Sequence, residues 1–147
     1  MEGTSTYAIS ASWSIALKEG RLANADGTLD SAHGSAPALG GKAGTPNPEE
    51  ILLSAVAACF VQTWAIFIEK LRLEIPEPFL DSVATMEKDP AGGFKVTSIT
   101  LTPHVPKALL DARKADVDKT LSLAEKYCIV SKAVKASLAL TVEAKAV

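Results

Sequence analysis

Residues Ile51 to Ile68 form a run of 18 without a charge, and Asn47-Pro48-Glu49-Glu50 leads into it. Asn47 is a good N-cap, Pro48 suits the first helical position, and the two glutamates suit the positive end of a helix dipole. Pro76 and Pro78 bar continuation, so the pattern predicts a helix over about 48–71. A helix apolar on every side has to be covered on every side. A chain of 147 residues does not readily wrap one alone, which points to burial between two subunits. As a membrane span the run is poor. At ~1.5 Å per residue it reaches about 27 Å, short of the ~30 Å hydrocarbon core. It contains Ser54, Gln62 and Thr63, follows acidic residues, and lacks basic flanks, an aromatic belt and a second span.

Around this helix the periodicities change. Residues 6–16 alternate (Tyr7, Ile9, Ala11, Trp13, Ile15) as a strand with one buried face. Lys18-Glu19-Gly20 reads as a hairpin turn, Arg21 to Ala25 as the returning strand, and Asp26-Gly27 as a second turn before a short segment to Ala32. His33 to Pro48 is rich in Gly, Ala, Ser and Pro and reads as a crossover loop. Residues 79–88 and 94–105 pair across Asp89-Pro-Ala-Gly-Gly93. Helical spacing of Leu110, Val117, Leu121, Ala124 and Cys128 predicts a helix over 107–127, with Asp111, Arg113, Lys114, Asp118 and Lys119 on a solvated face. A short helical piece at 130–136 and a strand at 138–147 close the chain. The order βββ-α-ββ-α-β is an α+β fold, read as one domain over 1–147.

Composition removes several function classes. The formal net charge is −2 and 48% of residues are hydrophobic, so there is no basic field for nucleic acid or an anionic membrane. The start, Met-Glu-Gly-Thr-Ser-Thr-Tyr, has neither the basic nor the apolar part of a signal peptide; a cytoplasmic protein is expected. His33 and His104 are isolated, so no metal site is expected. No nucleotide or dinucleotide fingerprint and no Gly-x-Ser-x-Gly elbow occurs, and no cofactor is expected.

The chain has 2 cysteines, Cys59 and Cys128, each on an apolar helical face. The plain alternative for Cys59 is a small hydrophobe filling a core. Against it stand the possible partner thiol and the small neighbours Ala55 and Ala58, which leave room for a reagent. Thiol chemistry needs the thiolate, and apolar burial raises a thiol pKa. A nearby cation is therefore expected, from Lys18, Arg21 or Lys42. Glu49 precedes Cys59 by ten positions, ~15 Å along the axis, so it reaches that thiol only through a cation or in a partner subunit.

Gly44-Thr-Pro-Asn-Pro-Glu-Glu50, Ala57-Ala-Cys-Phe60, Gly92-Gly-Phe94 and Ala124-Glu-Lys-Tyr-Cys-Ile-Val-Ser131 together resemble the OsmC/Ohr family of organic hydroperoxide reductases, whose patterns are Gly-Thr-Asn-Pro-Glu into Ala-Cys-Phe and, later, Cys-Pro-hydrophobic-Ser. The resemblance spans about 30–145. It implies an intertwined homodimer with long buried central helices, no cofactor, and an interface site acting on small apolar peroxides. It also implies that Cys59 attacks peroxide, Cys128 resolves, Glu49 holds an activating arginine, and an external dithiol of lipoyl type regenerates the pair. Phe60, Trp64 and Phe67 are candidates to line the pocket, with core packing the expected role for at least two.

Three positions depart from the pattern. Lys18 stands nearest the arginine of one branch, and Ala36-Pro-Ala-Leu39, aligned with the other branch's arginine, has no cation. Lysine lacks the bidentate fork of arginine. Ile129 replaces the proline after the second cysteine, and Pro46 is inserted before Asn47. Two functions therefore remain open: a peroxidase using Cys59, Cys128, Glu49 and Lys18, or a non-catalytic relative binding a small apolar or thiol-reactive ligand.

Overall fold

Asn47 begins the long helix with a reciprocal cap. The Glu50 N–H donates to Asn47 Oδ1 at 2.9 Å, and the Asn47 N–H donates to Glu50 Oε2 at 3.0 Å. Two N–H groups that would otherwise lack partners are thereby satisfied. The computed structural model describes residues 3–147. They fall into two compact units, Met1–Ile51 and Leu52–Val147.

The first unit carries β1 (Ser10–Ser14), β2 (Glu19–Ala23) and β3 (Asp30–His33) in one antiparallel sheet of order β1-β2-β3. Ser14 pairs with Glu19, so the hairpin loop is 15–18 and not the expected Lys18-Glu19-Gly20. The loop closes on Ser14: the Lys18 N–H donates to its carbonyl at 2.9 Å and the Leu17 N–H to its hydroxyl at 3.1 Å. Gly20 is thus a strand residue. Its missing side chain leaves room for the His33 imidazole, which crosses it to within 3.1 Å of the Ser12 carbonyl. The expected buried face of this strand region is exposed in the single chain: Tyr7 by 92%, Ile15 by 80% and Trp13 by 44%. Within the expected loop, Pro37–Leu39 forms a 3₁₀ turn.

The helix α1 runs over Pro48–Lys70, and most of it lies in the second unit. That unit adds β4 (Leu80–Lys88), β5 (Phe94–Val105), α2 (Lys107–Tyr127), α3 (Ile129–Val134), β6 (Ala139–Val142) and β7 (Lys145–Ala146). β5 is central, antiparallel to β4 and parallel to both β6 and β7. A register shift between Thr85 and Met86 leaves Thr97 unopposed. That bulge inverts the alternation of β5, so Val96 packs on the same core as Ile99 and Leu101.

One stripe of α1 (Val56, Phe60, Trp64, Ile68) is buried, with Val117, Leu121 and Ala124 of α2 in the same core. Trp64 Nε1 donates to Thr120 Oγ1 at 3.0 Å, and that hydroxyl donates to the Val117 carbonyl at 2.7 Å. The indole is therefore buried with its polar atom satisfied. By length and composition α1 is apolar enough to cross a membrane, with a mean hydropathy of 2.2. Its Val56–Ile68 stripe nevertheless serves as the core of a packed α+β unit.

Arg113 does not belong to the solvated face predicted for it. Its own backbone is non-helical (φ −139°, ψ 38°), kinking α2. Its guanidinium donates to the carbonyls of Leu71 at 3.0 Å and Arg72 at 3.1 Å, at the end of α1, and pairs with Asp116. The planar fork bridges carbonyls that have no helical partner. Arg113→Ala is expected to lower stability by about 1–3 kcal/mol in urea unfolding, the range for hydrogen bonds made by a charged donor, with Arg113→Lys recovering only part. A loss indistinguishable from zero would remove the clamp from the account.

Candidate active site

Cys128 lies between two helices. The Cys128 N–H completes α2 by donating to the Ala124 carbonyl at 2.8 Å, but its own ψ of 113° is extended, and α3 starts afresh at Ile129. A new helix start exposes N–H groups with no carbonyl a turn earlier to receive them. Here they serve sulfur. The N–H groups of Val130 and Ile129 hydrogen-bond to Cys59, and that of Ser131 to Cys128.

Cys59 is partly buried on α1, and Cys128 is fully buried. The two thiols are hydrogen-bonded to each other. Burial pushes the Cys59 thiol up. The Val130 N–H, the Cys128 thiol, the Ile129 N–H and the Thr63 hydroxyl outweigh this and hold it below the ordinary value. Burial also pushes Cys128 up. Ser131 opposes that through its hydroxyl and N–H, while the hydrogen bond to Cys59 and the charge there add to the rise. The buried Ser131 hydroxyl has no partner of good hydrogen-bond geometry, yet it lies near enough to bias the Cys128 sulfur. The result is a poised pair, with Cys59 the readier anion and Cys128 the thiol that donates to it.

The expectation that a cation lowers Cys59 is corrected: backbone N–H groups and hydroxyl and thiol donors account for the shift. The sequence reading missed these donors. The available signal was a non-proline residue after Cys128, since Ile129 has an N–H where proline has none.

The remaining predicted residues lie in the first unit. Arg21 is bound to Asp30 at 2.6 Å, and this hydrogen bond raises its pKa. Lys42 donates to the Leu17 carbonyl at 3.3 Å. Lys18 sits at the end of the β1–β2 loop in left-handed backbone (φ 58°) and makes no ion pair among the described residues. Glu49 has one buried carboxylate oxygen, Oε2, without a hydrogen-bond partner. Lys18 and Glu49 therefore do not pair with each other. Among the described residues no group of three His, Cys, Asp or Glu side chains is placed to hold a metal.

Beside the thiols runs an apolar groove of about 480 Å³, lined by Thr63, Ile66, Phe67, Lys70, Leu123, Tyr127 and Ile129. Of the aromatic residues considered for a pocket, Phe60 and Trp64 are wholly buried in the core, and Phe67 lines this groove.

Residues 40–143 match the family model described as OsmC-like protein. The chain belongs to the OsmC-like family. Among curated proteins it is 29% identical over 126 residues to an organic hydroperoxide resistance protein of Xanthomonas axonopodis pv. citri (strain 306), covering 84% of each chain. It is 30% identical over 105 residues to organic hydroperoxide resistance protein OhrB of Bacillus subtilis (strain 168), covering 71% of this chain and 73% of that one. The solved structure of OhrB superposes with a TM-score of 0.73 at 26% identity, covering 95% and 98%. An organic hydroperoxide resistance protein from Elizabethkingia anophelis gives a TM-score of 0.81 at 18% identity over 100% of both chains, a likeness of fold. The α+β order read from the sequence is that of this OsmC-like fold.

Ile129→Pro isolates one donor of this OsmC-like site. Proline suits the first position of a helix and an extended residue before it, so α3 is kept while one N–H is removed. The pH at which Cys59 becomes half-reactive toward iodoacetamide is expected to rise in this variant. An unmoved inflection would exclude the Ile129 N–H as a stabiliser of the thiolate.

Proposed function

We propose that this chain is a thiol peroxidase reducing organic hydroperoxides. The observation that carries the reading is the hydrogen-bonded thiol pair, Cys59 lowered and Cys128 raised; the names of the OhrB and Xanthomonas relatives agree with it. The Cys59 thiolate attacks the peroxide oxygen that bears hydrogen, the O–O bond breaks, and the alcohol leaves with a proton taken up on its oxygen. Cys59 is left as a sulfenic acid. The Cys128 sulfur then displaces its hydroxyl as water, forming the disulfide, and an external dithiol, of lipoyl type in this reading, returns both thiols. Glu49 and Lys18 enter as candidate site residues, the lone Glu49 oxygen awaiting a cation from Lys18 or elsewhere.

In the same reading the working unit is a cytoplasmic homodimer in which the two units of each chain act as one domain. Support comes from the exposed stripe Ala55, Ala58, Gln62 and Ile66 on an otherwise apolar helix, together with the exposed Tyr7, Trp13 and Ile15. A single chain leaves both in water, and a second copy covers them.

Reduced protein titrated with one equivalent of cumene hydroperoxide is expected to consume it and to yield a Cys59–Cys128 disulfide by mass spectrometry. Cys128→Ser is expected to stop at the sulfenic acid. Peroxide left intact with both thiols free would end the peroxidase reading.

The second reading, a non-catalytic OsmC-like binder of a small apolar ligand, draws on one observation: no cation contributes to lowering Cys59. The two readings part on thiol pKa. As a peroxidase, Cys59 is alkylated with an inflection below the ordinary ~8.5. The rate falls as pH drops through that inflection and is level above it, because only the anion reacts. An inflection at the ordinary value or above favours the binder.

A further inference from the structure

The floor of the groove is a single stripe of α1. Thr63, Ile66, Phe67 and Lys70 follow one another at the spacing that places residues on one helical face. Cys59 lies one turn before Thr63 on the same face, and the Thr63 hydroxyl donates to the Cys59 carbonyl at 2.8 Å. Eleven positions separate Cys59 from Lys70, about 16 Å at ~1.5 Å per residue. One end of the floor is a thiol and the other an ammonium, with Ile66 and Phe67 between them.

The opposite wall, Leu123, Tyr127 and Ile129, is apolar apart from the phenol. Around it the charge has one sign. Lys126 and Lys132 hold their Nζ 5.3 and 5.8 Å from the centre of the Tyr127 ring, and Lys70 lies 5.3 Å from that of Phe67. The two rings themselves stand 5.7 Å apart. No carboxylate lines the groove, and the nearby Glu125 is taken by Lys135 at 2.8 Å. In a chain of net charge −2, this is a local concentration of positive charge along apolar walls. Such a site complements an amphipathic anion: a long hydrocarbon with a carboxylate at one end.

We propose that the groove binds long-chain fatty acids carrying their oxygenated carbon mid-chain, that Lys70 holds the carboxylate, and that the distance from Lys70 to Cys59 selects which chain position meets the thiol. The inference rests on the proposed function only for the chemistry at the oxygenated carbon; binding of the acid stands apart from it. Lys70 is then the residue that tells a free acid from its neutral ester.

The probes are ricinoleic acid, a mid-chain hydroxy acid that cannot oxidise Cys59, and its methyl ester. Both are titrated by calorimetry into reduced full-length protein below their aggregation concentrations. The acid is expected to bind about tenfold tighter than the ester, as one charge-assisted hydrogen bond allows. Lys70→Gln is expected to bring the ratio close to one, and Lys70→Arg to restore most of it. Hexanoate, too short to span the floor, is expected to bind at least tenfold more weakly than ricinoleate.

Equal binding of acid and ester by the unmodified protein, or a preference that survives Lys70→Gln, overturns the proposal, as does binding of neither probe. Because no peroxide is present, these outcomes are independent of whether cumene hydroperoxide is reduced.

Discussion

A helix that stops at one thiol and restarts at once provides the donors that favour an anion on another. Helical N–H groups are obligatory donors. Those left free by the break at Cys128 need acceptors in a setting that excludes much of the water. Sulfur is what they meet: Cys59 receives two of them and Cys128 a third. Fixed dipoles in a partly dry site need no rearrangement when charge appears, so Cys59 is prepared for ionisation by backbone alone. Lysine or arginine near the site would add to this preparation without being its source.

That arrangement depends on a frame. The cysteine-bearing helices α1 and α2 are tied twice, at Trp64 to Thr120 and where Arg113 grips the carbonyls of Leu71 and Arg72. Between these ties lies a close-packed aliphatic core. The approach of the two sulfurs is therefore set by side chains that have no part in the chemistry. A change at Arg113, far along α2 from Cys128, acts on the site through the angle between helices.

Much of this was legible in the residues. Asn47, Pro48 and the uncharged run gave α1 to within a residue of its end, and Leu110 to Cys128 gave α2 and its buried face, because both are long and strongly periodic. The cysteines were legible as a pair. What escaped depends on partners distant in sequence. Gly20 looked like a turn because glycine often is one; only the pairing with β3 brings His33 across it. Arg113 looked like surface because its partners are backbone carbonyls more than forty positions away, which no side-chain pattern records. The missing cation was a reasonable expectation from thiol chemistry, but hydrogen-bond donors carried by the main chain leave no mark in composition. Tyr7, Trp13 and Ile15 were correctly read as apolar and wrongly as covered within one chain.

The contacts that favour the Cys59 anion exist only while it is an anion. Once the sulfurs join, the Ile129 and Val130 N–H groups face a neutral bridge, and the Cys128 thiol has no hydrogen left to give. Electron gain thus recovers several interactions that electron loss forfeits, which raises the reduction potential of the couple. The same polar helix start that makes the thiol quick to react also makes the bridged form a temporary one, discharged readily by the next dithiol it encounters.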